Sequence, residues 1–175
     1  GVIDEEDCAE LISNVNAKGY TPALFNIGGG KQRFAPLVRD GFRALVDSPE
    51  LANWLLEVLR PHVPEEWEGE PLIDLNSHCR FLCYTPGQQF QAHYDGCFER
   101  PSGGCSYVTL QVYLHDVPAE SGGATTFLFD RKDENVCCQP GAGSVLLFSQ
   151  DLYHEGSQLL SGLKYTMRTE AMYGK

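Results

Sequence analysis

His93 and Asp95 stand two positions apart in Gln91-Ala92-His93-Tyr94-Asp95, at the end of a short β-prone run. Strand alternation sends both side chains to one face and Tyr94 to the other, so an imidazole nitrogen and a carboxylate oxygen can meet the same cation. A surface histidine beside a turn aspartate is the plain alternative for so short a signal. His154, in Tyr153-His154-Glu155-Gly156 after the apolar run Ser144 to Phe148, supplies a third donor. Two imidazoles and one carboxylate on one face of an octahedron are the donor set of non-haem Fe(II) oxygenases, whereas zinc prefers a closed tetrahedron. A ferrous centre of that kind needs a reductant. 2-Oxoglutarate would take two open positions with its 1-carboxylate and keto oxygen, and its far carboxylate needs a buried cation. Lys164 offers one on the next predicted strand, with Thr166 and Arg168 on the same face. The alternative there is a surface strand with solvated Lys164 and Arg168.

These side chains need a scaffold. Asp4 to Val15 opens with acidic residues and places Cys8, Leu11, Ile12 and Val15 at helical spacing, which predicts an amphipathic helix. A second helix starts at Ser48 as N-cap with Pro49 in the first turn. It carries Leu51, Trp54, Leu55, Val58 and Leu59 on one stripe and stops at Pro61 and Pro64. Gly28-Gly29-Gly30 between them reads as a flexible loop, without the flanking elements or the Gly-Lys-Ser/Thr ending of a phosphate cradle. From Pro71 the period changes to strand-like runs: Leu72 to Leu75, Arg80 to Tyr84, Gln89 to His93, Tyr107 to Leu114, Thr125 to Phe129, Val136 to Cys138, Ser144 to Phe148 and Lys164 to Tyr173. Helices followed by many short strands predict an α+β fold. Its core over about 71–175 is a jelly roll, and a helical N-terminal part over about 1–70 packs on one sheet.

A chain of 175 residues suits one domain over 1–175. Thirteen Lys+Arg against 24 Asp+Glu give a formal net charge of -11, which repels phosphate backbones and anionic membranes and argues against nucleic acid as a partner. No apolar run approaches the roughly 20 residues of a membrane span. The opening Gly-Val-Ile-Asp-Glu-Glu-Asp has no basic n-region or apolar h-region and reads as a trimmed start. Seven cysteines without zinc-like CxxC pairs fit reduced thiols and favour a cytoplasmic location, although Cys97 and Cys105 could pair across a loop.

The stretch Tyr84-Thr85-Pro86-Gly87-Gln88-Gln89-Phe90-Gln91-Ala92-His93-Tyr94-Asp95 resembles the tyrosine, glycine, aromatic and His-x-Asp pattern of the prolyl 4-hydroxylase type of Fe(II)/2-oxoglutarate dioxygenases. Val108-Thr109 through Tyr113-Leu114, Gly122-Gly123-Ala124-Thr125, Pro140 to Ser144, and His154-Glu155-Gly156 with Gly162-x-Lys164-Tyr165 resemble that family's later motifs, in its order. The resemblance runs from about Cys79 to Tyr173. It implies a double-stranded β-helix, with His93, Asp95 and His154 as iron ligands and Lys164 on the 2-oxoglutarate 5-carboxylate. It also implies that Tyr84 helps to hold the co-substrate, that Tyr113 and Thr109 lie on the strand face that contacts it, and that Arg168 meets either its carboxylate or a substrate anion. Gln111 departs from the usual apolar neighbours on its strand.

The activity so implied is hydroxylation of an aliphatic C–H bond by Fe(II), O2 and 2-oxoglutarate, with succinate and CO2 released and ascorbate as candidate reductant. Open substrates are a prolyl residue in a protein, another peptidyl side chain, and a free amino acid or other small molecule. Other readings are the same chemistry on nucleobases, which the charge opposes, and a catalytically idle jelly-roll binding module. Gly96 to Cys105 suits either a lid or a plain hairpin, and Lys31, Arg33 and Arg39 could meet an acidic substrate. The sequence does not fix the oligomeric state.

Overall fold

The computed structural model of the chain describes residues 1–27 and 31–174, so the expected Gly28-Gly29-Gly30 loop lies outside the described residues. Helix α1 (Glu5–Lys18) begins where Asp4 Oδ1 accepts the Asp7 N–H at 2.8 Å, and it runs on past Val15 to Gly19, whose φ of 83° suits glycine. Helix α2 (Pro49–Leu59) is capped by Ser48 Oγ, which accepts from Leu51 N–H at 3.2 Å. Between the helices lie β1 (Thr21–Pro22), β2 (Phe25–Asn26), β3 (Gln32–Arg33) and β4 (Phe42–Asp47). Then follow β5 (Glu66–Trp67), β6 (Glu70–Leu75), β7 (His78–Tyr84), β8 (Phe90–His93) and β9 (Cys105–Tyr113). The chain ends with β10 (Thr125–Phe127), β11 (Val136–Cys138), β12 (Val145–Ser149), β13 (His154–Gly156) and β14 (Lys164–Tyr173).

The larger sheet is built round β14. β9 pairs with it from Thr166 to Tyr173, β7 pairs with its first half from Lys164 to Arg168, and β6 with its last residues. β12 extends the sheet beyond β9, and β4 and then β1 extend it beyond β7. A smaller sheet has the order β11-β10-β13-β8. The architecture is the expected α+β jelly roll, with one correction: the first 70 residues are not only helical, since β4 pairs with β7 along its whole length.

Alternation divides the faces of the large sheet. Met167 and Ala171 of β14, Val108, Leu110 and Val112 of β9, and Phe81 of β7 form one apolar cluster with Cys8 and Val15 of α1 and Leu55, Leu56 and Leu59 of α2. Burying each such leucine stabilises by roughly 1.5–3 kcal/mol, so this face holds the roll together. The opposite face turns Lys164, Thr166, Arg168 and Glu170 inward and is free to carry polar chemistry. The 96–105 segment has hairpin form, with Glu99 bridged to Cys105, and Arg100 makes a forked pair to Asp74 at 2.8 and 3.0 Å. Cys97 and Cys105 are both free thiols. Among the described residues no helix is long and apolar enough to cross a membrane.

Candidate active site

β8 and β13 run antiparallel with His93 directly opposite His154, so both imidazoles leave the smaller sheet on one face. Asp95 follows β8, held where its N–H donates to the Gln150 carbonyl at 3.2 Å. The donor atoms of His93, Asp95 and His154 all lie within 4.8 Å of one another. Each histidine turns Nδ1 to a backbone carbonyl two residues earlier, Gln91 O for His93 and Leu152 O for His154, both at 2.8 Å. That bond places the proton on Nδ1 and aims the Nε2 lone pair inward, which is how proteins orient a ligating imidazole. Phe90 stacks on His93 at 3.6 Å between centroids, and Phe148 meets His154 edge-on at 4.8 Å. Burial lowers the His154 pKa, against the pull of Asp95, and so favours the neutral ring that a metal needs.

Burial alone would raise the Asp95 pKa. Arg168, the two histidines and Thr109 outweigh it and hold the carboxyl well below the usual range. Its Oδ1 lies 2.9 Å from Arg168 Nη1, 3.5 Å from His93 Nε2 and 3.9 Å from His154 Nε2. Its Oδ2 accepts the Thr109 hydroxyl at 2.7 Å. Among the described residues no fourth histidine, cysteine or carboxylate joins the cluster. Two neutral nitrogens and one carboxylate oxygen therefore fit a divalent iron with open positions better than a closed zinc site.

Lys164 opens β14 opposite Tyr84. It is 6% exposed, and its ammonium donates to the Gly123 carbonyl at 2.6 Å and forms no ion pair among the described residues. Desolvation pulls its pKa down to about 8, so it is largely charged at neutral pH and lacks a counter-ion. Gly123 has φ +76°, and a Cβ there would come within 2.9 Å of Leu159 Cδ1, so glycine is what allows that carbonyl its position. The ammonium lies 5.8 Å from the Tyr84 ring centre and 5.6 Å from that of Tyr113. Burial raises the Tyr84 pKa, so its hydroxyl stays a donor.

Tyr84, His93, Asp95, His154, Lys164 and Arg168 line one pocket. Tyr113 and Thr109 are placed differently. The Tyr113 hydroxyl donates to Thr125 Oγ1 at 2.7 Å and accepts from Gln111 Nε2 at 3.0 Å, and Thr109 is spent on Asp95. Arg168 likewise sits on Asp95, with Glu170 3.5 Å away, rather than beside Lys164. Gln111 does hydrogen-bond inside the roll. Thr125, Arg43, Arg80 and Glu170 also bear on the site. Arg80 and Glu170 carried no sequence signal beyond strand alternation, Thr125 none beyond its place in the Gly122-Gly123-Ala124-Thr125 motif, and Arg43 none at all. Arg39 reaches the pocket, whereas Lys31 and Arg33 stay exposed.

A family model described as the 2OG-Fe(II) oxygenase superfamily matches residues 79–169. A Pseudomonas putida prolyl-4-hydroxylase superposes with a TM-score of 0.73 at 18% identity, over 97% of this chain and 88% of that one. A prolyl hydroxylase from Trichoplax adhaerens, in complex with a hypoxia inducible factor oxygen degradation domain peptide fragment, gives 0.73 at 16% identity over 95% and 77%. A viral collagen prolyl hydroxylase from Paramecium bursaria Chlorella virus-1, as its 2OG complex, gives 0.67 at 18% over 100% and 93%. No curated protein matches the sequence.

Proposed function

We propose that this chain, which belongs to the 2OG-Fe(II) oxygenase superfamily and is a dioxygenase of the hydroxylating kind, hydroxylates a prolyl or other peptidyl residue and releases succinate and CO2. His93, Asp95 and His154 hold Fe(II), and Lys164 holds the far carboxylate of 2-oxoglutarate. The observation that carries this reading is the buried, uncompensated Lys164 ammonium in the same pocket as the three donors. A cation in that state is costly unless an anion arrives. The prolyl substrate is supported by the three superposed hydroxylases, two of them named for collagen or for a peptide complex.

Bound Fe(II) and 2-oxoglutarate supply the O2 activation that puts an oxygen atom into a C–H bond. The chain's own residues do the rest. The histidines offer neutral Nε2 atoms because Nδ1 carries the proton, and Asp95 offers Oδ1 while Thr109 holds Oδ2. Lys164 exchanges or shares the Gly123 carbonyl for a carboxylate, and Tyr84 remains a protonated donor beside it. No side chain is needed as general acid or base.

Anaerobic addition of Fe(II) and 2-oxoglutarate to the metal-free protein should give the weak visible charge-transfer band of the chelate. The band should vanish in Asp95→Ala and weaken in Lys164→Ala. A folded wild-type protein without the band would overturn the reading. With O2 and a proline-containing peptide, the expected products are succinate and a peptide heavier by one oxygen atom.

A further inference from the structure

A second cavity of about 530 Å³ borders His93 and Asp95 but is not lined by Lys164 or Tyr84. Four of the chain's thirteen basic residues line it, Arg39, Arg43, Arg80 and Arg168, against two carboxylates, Asp95 and Glu170. Arg80 and Arg168 share those acids: Arg80 Nη1 meets Glu170 at 2.5 Å, and Arg168 reaches Asp95 at 2.9 Å and Glu170 at 3.5 Å. Arg39 and Arg43 have neutral partners. Arg39 Nη1 donates to the Leu24 carbonyl at 3.2 Å and Arg43 Nη2 to Gln32 Oε1 at 2.7 Å. Both are nearly enclosed, at 8% and 7% exposure. The Nε donors of Arg39, Arg43 and Arg168 are buried without a partner among the described residues.

Such an arrangement is expensive twice over. Desolvation depresses the pKa of Arg39 and Arg43, and Arg39 also feels Arg168, Arg43 and Arg80 as like charges. Unspent guanidinium donors in a low-dielectric wall cost further free energy. An incoming anion offsets both costs, and a guanidinium fork matches a carboxylate. Phe90 and Phe25 add apolar lining: the Arg39 guanidinium lies 4.5 Å over the Phe90 ring, and Phe25 meets Phe90 edge-on at 6.3 Å.

We infer that this cavity is the site of the substrate to be hydroxylated and that it selects a substrate bearing a carboxylate, engaged by Arg43 and Arg39 beside the metal ligands. The inference rests on the hydroxylase reading proposed above. A phosphodiester strand fits less well, because the guanidiniums are recessed and the chain as a whole carries a net charge of -11.

The test compares matched acids and amides by anaerobic calorimetric titration of the protein, with and without Fe(II) and 2-oxoglutarate. N-acetylproline against N-acetylprolinamide probes a chain-end carboxylate. Doubly blocked Ala-Pro-Glu-Ala against Ala-Pro-Gln-Ala probes a side-chain carboxylate. At least one acid should bind tenfold or more tighter than its amide, and Arg43→Gln should cut that ratio to about twofold, with Arg43→Lys between. Equal binding within both pairs, or no binding at all, overturns the inference. So does a ratio that survives in both Arg43→Gln and Arg39→Gln, or a single-stranded oligonucleotide that binds more tightly than either acid. The wild-type comparison needs no variant to fold. The charge-transfer band reports separately on the parent reading: a band without acid preference leaves the hydroxylase and removes this site, whereas acid preference without a band removes the hydroxylase, and with it the assignment of the cavity to a hydroxylation substrate.

Discussion

The pocket around Lys164 and the cavity around Arg43 share Arg39, Phe90, His93, Asp95 and Arg168, yet their far ends are built on different electrostatic plans. At the far end of the first, the Lys164 ammonium sits on one carbonyl without a counter-ion, and desolvation dominates. In the second, four arginines crowd two carboxylates, and like-charge repulsion adds to burial. Their origins differ too. Tyr84, Lys164 and the three donors fall inside residues 79–169, the segment matched to the superfamily. Arg39 and Arg43 come from outside it, so the proposed recognition wall draws on the N-terminal part as well as on Arg80 and Arg168 of the matched segment. A buried charge is therefore stabilising or costly according to what faces it, and removing the Glu170 anion and removing the Lys164 cation should shift stability with opposite signs.

The largest effect is expected in the outer cavity. Glu170 is 1% exposed and is shared by Arg80, Arg168 and the Asn76 amide, whose Nδ2 donates to it at 2.9 Å. Glu170→Gln keeps the shape, removes the charge and leaves the arginines less compensated. It should lower the unfolding free energy by about 3 kcal/mol, or roughly 6–12 °C in Tm for a chain of this size. Denaturant titration at neutral pH checks this. A loss within about 0.5 kcal/mol, the range of ordinary surface changes, would break the comparison.

The inner pocket should move the other way. Lys164→Met removes a buried cation without a counter-ion and should raise stability by about 2 kcal/mol, while 2-oxoglutarate binding weakens by about 30-fold or more, the worth of a charge-assisted hydrogen bond. pH sharpens the contrast. The folded pKa is near 8 and the ordinary value is 10.5, so between them the unfolded chain binds the extra proton. The penalty is full below about pH 8 and fades as pH rises towards 10.5, so wild-type stability should gain relative to Lys164→Met across that window. Over the same rise the ammonium is lost, and the KM for 2-oxoglutarate should climb. In Lys164→Arg that climb should disappear, because guanidinium stays charged.

Legibility in the sequence follows the same divide. Lys164, Thr166 and Arg168 share a face by alternation alone, and the helix stripes led directly to the apolar face that α1 and α2 cover. The pairing of His93 with His154 joins strands far apart in sequence, and donor chemistry, with the family resemblance beside it, rather than periodicity brought them together. β4 was hidden for a local reason. Phe42 and Leu45 are exposed whereas Arg43 is buried, so its hydrophobic pattern runs against its burial. Arg43 drew no reading from the sequence, because only a polar interior makes a buried arginine sensible.

Thr109 carries the smallest effect and separates two accounts of one residue. The sequence places it on the co-substrate face of its strand, and the structure gives its hydroxyl, 0% exposed, to Asp95 Oδ2 at 2.7 Å. In Thr109→Val the shape is kept and that oxygen loses its donor, so the carboxylate is less firmly turned towards the Nε2 atoms. Metal affinity should fall about tenfold, as for other groups that orient a ligand. Titration with Co(II), read from its visible spectrum, measures this, and Thr109→Ser should restore the wild-type value. If Thr109 instead served 2-oxoglutarate directly, Thr109→Val would leave Co(II) binding intact and raise the KM for 2-oxoglutarate. The two outcomes fall on different axes, so one variant decides whether Thr109 supports the metal donors or belongs to the Lys164 pocket.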